Sequence, residues 1–153
     1  TDSHLHNFHW RGERFGLPDP EFDEERVVDE RTVTLKELGL SIKDRLEYVY
    51  DFGDGWEHVL TVEQVLEAGE HQTPVCLKGA RSCPPEDCGG AWGYENLLDI
   101  LKDPTHEEYE EWKTWLPENF DPEQCDLAEV NSALSVRQWT IAPPSRKGRR
   151  KKM

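Results

Sequence analysis

The sequence predicts an α+β domain: an antiparallel sheet from the N-terminal two thirds, with about three helices from the last third packed on it. Three observations carry this. Residues 46–66 alternate like two strands about a Gly-Asp-Gly turn. Residues 94–102, 106–116 and 127–134 repeat apolar positions at helical spacing. A length of 153 residues suffices for one core and hardly for two. Residues 1–142 are therefore expected to form a single domain, and residues 143–153 a flexible basic tail.

The chain opens on SHLHNFHW at residues 3–10, where alternation puts His4, His6, Phe8 and Trp10 on one strand face. Two histidines at i and i+2 can share a metal. The plain alternative is a half-buried aromatic strand with hydrogen-bonded histidines. Residues 11–31 are rich in Gly, Pro and acid and read as an irregular loop. TVTLKELGL at 32–40 reads as a short strand running into a helical turn.

LEYVYDF, the turn GDG and WEHVLTVEQVL form the clearest hairpin, with Asp54-Gly55 as the turn signal. Tyr48, Tyr50 and Phe52 share one face before the turn, and Trp56, His58, Leu60 and Val62 share one after it. Asp51, Asp54, Glu57 and His58 gather at the hairpin end. That gathering is turn chemistry with solvated acids, or part of a metal or acid–base site.

CLKGARSCPPEDCGGAWGY at 76–94 is the stiffest stretch in the chain. Pro84 and Pro85 fix φ and donate no hydrogen bond. Gly89 and Gly90 allow close backbone approach. The loop delivers Glu86, Asp87 and Cys88 to the start of a helix, and Tyr94 lies in that helix. The helix macrodipole accounts for Glu86 and Asp87 as cap-region acids. A catalytic carboxylate pair is the sharper alternative.

The first helix presents Leu97, Leu98 and Leu101 and ends before Asp103-Pro104. Thr105 and Glu108 have capping-box spacing for a second helix over 106–116, with Tyr109, Trp112 and Trp115 or Leu116 inward. Asp126 and Glu129 have the same spacing ahead of a third. VRQWTI at 136–141 reads as a last strand.

Cys76, Cys83 and Cys88 are spaced C-x6-C-x4-C, not the C-x2-C of most structural zinc sites. Zinc suits the residue types, because thiolate and imidazole are its preferred ligands. The set would be Cys76 and Cys83 with His58, or with His4 or His6. The alternatives are a disulfide between two of the three cysteines, or buried free thiols. No nucleophile elbow, phosphate loop or dinucleotide fingerprint is present. An enzyme would have to be a metal-dependent hydrolase or nuclease drawing on His4, His6, His58 and Asp54.

The net charge of −14 hides an asymmetry. Arg146, Lys147, Arg149, Arg150, Lys151 and Lys152 crowd the tail. Without those six, twelve basic residues face thirty-two acidic ones. Such a body repels nucleic acid, so contact with it is expected only through the tail. The tail docking on its own acidic domain is an equal alternative. No apolar run reaches the roughly eighteen residues of a membrane span. Four scattered cysteines fit a reducing, cytoplasmic compartment.

SHLHNF, YDFGDGWEH, CLKGARSCPPEDCGGAWGY and FDPEQCDLAEVNSAL, in that order, carry a resemblance. From about Ser3 to Leu134 the chain resembles the plasmid pRiA4b ORF-3-like family. The resemblance implies a small α+β domain found on plasmids and in insertion elements, with no biochemical role assigned. Some members are labelled passenger proteins similar to a resolvase (TnpR-like). A serine recombinase needs its nucleophile among arginines, and here only Ser82 follows one, Arg81. The resemblance also implies a hairpin and a helix ahead of the HLH segment, which this chain is expected to lack. It implies a small apolar residue at the position of Cys88, which favours Cys76 and Cys83 as ligands. The expectation is an uncharacterised binding or interaction module.

Overall fold

The structure, a computed structural model, describes residues 4–19, 26–66 and 73–136. These fall into two compact units. The sheet unit runs to Val49 and resumes at Glu57; the helical unit holds Tyr50–Trp56 and the described residues from 73 onward.

Among the described residues the sheet has five strands: β1 (His6–Trp10), β2 (Glu13–Gly16), β3 (Val27–Asp29), β4 (Arg45–Tyr50) and β5 (Trp56–Thr61). Their order is β3-β2-β1-β4-β5. β1 and β2 pair antiparallel, with Phe8 opposite Phe15. Arg11 and Gly12 turn the chain between them at φ of 50° and 79°. β2 and β3 pair parallel, with Phe15 opposite Val28, so the expected sheet is mostly but not wholly antiparallel.

Residues 11–31, expected to be irregular, thus contribute two strands. ERFG and VVD are too short for alternation to show, and both pair with neighbours that only the fold supplies. The strand expected at residues 32–40 is absent too. Asp29 caps a 3-10 turn at Glu30–Thr32. Thr34 and Glu37 then form a reciprocal capping box for α1 (Leu35–Leu38), and Gly39 ends it at φ 63°. Among the described residues, Phe15 and Leu46 are the buried apolar ones of this unit. At the base of the β4–β5 hairpin, Lys43 N–H donates to Val62 O at 2.8 Å and Val62 N–H to Asp44 O at 2.9 Å.

The helical unit contains α2 (Gly90–Lys102), α3 (Tyr109–Trp115) and α4 (Leu127–Val136). Leu97 and Ile100 of α2 are fully buried; burying a side chain of this size stabilises by about 2 kcal/mol. Cys88, Leu97 and Leu116 form a buried cluster against which Trp56, Tyr94, Leu101, Trp112 and Phe120 pack. The α3 capping box does not form. The Thr105 hydroxyl and N–H instead bond the Asp103 carboxylate, at 2.7 and 2.9 Å. The chain makes turns as far as Glu108, and the helix starts only at Tyr109. At α4 the Asp126 carboxylate accepts from Ala128 N–H and Glu129 N–H at 2.8 and 3.0 Å, as its spacing predicts. Val136 closes α4, and the remainder of the strand expected at 136–141 lies outside the described residues, as does the basic tail.

Candidate functional site

Within the helical unit the hairpin tip and the stiff loop are fastened together. Asp51 is a buried carboxylate at φ 54°. Its Oδ1 accepts from Gly53 N–H at 2.9 Å, and Gly55 N–H closes the turn on Asp51 O at 2.6 Å. Two contacts tie this tip to the loop. The Tyr50 hydroxyl donates to the Glu86 carboxylate, 3.0 and 3.2 Å from its two oxygens. Gly89 N–H donates to Asp54 Oδ2 at 3.2 Å. Gly89 and Gly90 both have positive φ, and a Cβ on Gly90 would overlap the carbonyl of Asp54. Only glycine lets α2 start this close to the hairpin. Asp87, at φ 55°, is held beside the tip: its carboxylate and that of Asp51 come within 4.8 Å of one another.

Asp87 also lines a pocket of about 320 Å³ with Glu108, Glu111, Trp112 and Trp115. The two indoles meet edge to face at 5.3 Å and 81°. Trp112 anchors in the core cluster, whereas Trp115 is 48% exposed. Three acidic residues and two tryptophans thus line one opening, residue types whose charge and ring quadrupoles both suit a cation. A larger open groove of about 830 Å³ runs past Leu98, Leu101, Leu116 and Phe120. Its rim mixes signs, with Arg81 and Glu123 paired at 3.5 Å, and so selects no charge class.

Of the residues singled out in the sequence, Asp51, Asp54, Glu86, Asp87, Gly89 and Gly90 are brought together, with Pro84 and Pro85 leading in. Trp56 and Tyr94 meet edge to face at 6.4 Å and pack against the core cluster. Burial pushes the Tyr94 hydroxyl above its usual pKa, helped by the charge that Cys88 would carry. The predicted zinc ligands are divided. Cys76 and Cys83 belong to the helical unit; His4, His6 and His58 belong to the sheet unit. All four cysteines are free thiols. Asn131 clamps the backbone of Cys76, accepting its N–H at 2.7 Å and donating to its carbonyl at 3.0 Å. Cys83 is exposed and Cys88 is buried. In the sheet unit His6 meets Glu30 at 3.1 Å, and His6 and His58 lie against the same Tyr48 ring, at 5.7 and 5.4 Å.

Sequence reasoning missed the α3 side of the pocket. Glu108, Glu111, Trp112 and Trp115 stand at i, i+3, i+4 and i+7, one helical stripe. Read for burial alone, the tryptophans looked like core; read with the interleaved acids, the stripe is a mixed face.

A five-stranded mostly antiparallel sheet followed by three helices, with an acid-lined loop at the start of the first, defines a small α+β protein class. The chain belongs to the plasmid pRiA4b ORF-3-like family, whose model matches residues 1–129. It is similar to the uncharacterized protein y4hQ of Sinorhizobium fredii (strain NBRC 101917 / NGR234), at 35% identity over 154 residues, covering 99% of this chain and 77% of that protein. It is also similar to the crystal structure of a protein of unknown function, MM3350 from Methanosarcina mazei Go1. That match has a TM-score of 0.72 and 35% identity, and covers 84% of this chain and 74% of that one. No helix among the described residues is long and apolar enough to cross a membrane.

Proposed function

We propose that the chain is a binding module that takes a cationic side chain, Lys or Arg, of a protein partner into the pocket of Asp87, Glu108, Glu111, Trp112 and Trp115. One observation carries this reading: an acidic opening that is also walled by two indoles. Solvated acids alone need no indole beside them, and core tryptophans need no carboxylates. The net charge of −14 acts in the same direction at long range, drawing basic partners. The loop's part is to hold Asp87 rigid, so that little ordering is left to the moment of binding.

The test uses a basic probe, a synthetic peptide of residues 145–153, titrated into protein lacking those residues. Tryptophan fluorescence reports the pocket. Binding weakened about tenfold by Trp115→Ala, which leaves the charge unchanged, supports the reading. Equal binding by Trp115→Ala and the parent would reduce it to unspecific charge attraction.

A further inference from the structure

Among the described residues the sheet ends on two unlike edges, β3 and β5. β3 is three residues long and runs straight into the 3-10 turn, so it offers a neighbour little to pair with. β5 is six residues long, and all of it beyond Trp56 is exposed. Residues 56–66 contain Glu57 and Glu63 but no Lys or Pro, the residues that commonly keep an edge strand unpaired. Val59 and Leu60, on opposite faces of the strand, are both exposed apolar residues.

The ladder to β4 fixes which backbone groups this edge presents. Both groups of Val62 face β4: its N–H donates to Asp44 O, and its carbonyl accepts from Lys43 N–H. In an antiparallel hairpin every second residue faces the same neighbour, so Leu60 and His58 bond β4 as well. Counted from Asp44 and Val62, Tyr48 falls opposite His58, and their rings lie 5.4 Å apart. Glu57, Val59 and Thr61 then turn their N–H and C=O groups outward, along the open edge.

We infer that the outer edge of β5 takes up an extended, basic segment of a protein partner as a further strand. Main-chain bonds to Glu57, Val59 and Thr61 supply the attachment, and alternate side chains pack beside those of β5. One face of the added strand meets Glu57, Val59 and Thr61; the other meets His58 and Leu60. Charge selects the occupant. Glu57 and Glu63, backed by the net charge of −14, attract Lys and Arg. A second copy of the chain would bring the same acids to the same edge. The surface shares no residue with the acid–aromatic pocket, and either reading can fail without the other.

The probe is the peptide acetyl-Thr-Val-Lys-Val-Lys-Val-amide, with a control in which both lysines are glutamate. Each is titrated into the full chain while amide hydrogen exchange is read residue by residue. At saturation with the lysine peptide, the amides of Glu57, Val59 and Thr61 should slow by about tenfold or more. Those of His58 and Leu60, already bonded to β4, should change little. The lysine peptide should bind about tenfold tighter than the glutamate peptide at low ionic strength. Val59→Pro removes the central outward N–H and leaves the bonds to β4 in place. It should weaken the lysine peptide about tenfold, whereas Val59→Thr should bind as the parent does. A lysine peptide N-methylated at every residue repeats the test with the protein unaltered, and should lose as much. Parent-like binding by Val59→Pro or by the methylated peptide would overturn the inference, since the edge backbone would take no part. Equal affinities of the lysine and glutamate peptides, or no response at millimolar concentration, would overturn it too. So would protection of these amides before any peptide is added, which would assign the edge to the chain itself.

Discussion

Gly90 stands directly against the carbonyl of Asp54, so close that no side chain fits between the first residue of α2 and the hairpin turn. Its φ of 67° adds a second reason for glycine. Gly90→Ala should therefore destabilise the protein by about 3 kcal/mol, from overlap and strain together. Gly39→Ala is the control. It has a comparable φ of 63° but nothing within 4 Å of the new Cβ, and should cost only about 1 kcal/mol. Urea denaturation measures both, and equal losses would show that the close approach contributes nothing.

The clasp between Tyr50 and Glu86 is a hydrogen bond to a charged acceptor in a partly buried place. Tyr50→Phe should lose about 1.5 kcal/mol of stability. Glu86→Gln should lose less after that change than before it, because the two share one interaction. Additive losses in the double-mutant cycle would place the clasp elsewhere.

Cys83 and Cys88 should differ sharply in reactivity although only five positions separate them. Cys83 is exposed, whereas Cys88 is buried with its thiol pKa raised, first by burial and then by the charge on Asp54. A disulfide reagent should label Cys83 within the folded protein, and Cys88 only as it unfolds.

The same shift has a sign in stability. A thiol pKa raised by folding favours the protonated native state. That contribution is whole below the unfolded value of about 8.5 and is lost as pH rises through the higher folded value. Unfolding free energy should thus fall over that alkaline range, and Cys88→Ala should flatten the slope. An unchanged slope would mean that Cys88 titrates alike in both states.

Long periodic segments were legible in the sequence, and short cooperative ones were not. The β4–β5 hairpin and the α2 stripe showed their periods over enough residues to be read directly. β2 and β3 could not be read, since ERFG and VVD become strands only through Phe15 pairing with Phe8 and Val28. Thr105 misled because Asp103 competes for the same hydroxyl, an outcome that spacing alone does not rank. The stiffness of the loop around Pro84 and Pro85 was legible from its residue types. The α3 acids and indoles that line a pocket with Asp87 were not read. Chemistry of residue types identified the loop, and the helical phase of residues 108–115 would have identified its neighbour.

The most direct measurement of the cation-binding reading is the affinity of the 145–153 peptide for protein lacking its own tail, compared across parent, Trp115→Ala and Glu111→Gln at matched ionic strength. Weakening of about tenfold in each variant is the predicted result, because charge and π face act on one bound group. Parent-like affinity in Trp115→Ala would contradict it, showing that the indole stands beside the acids without taking part.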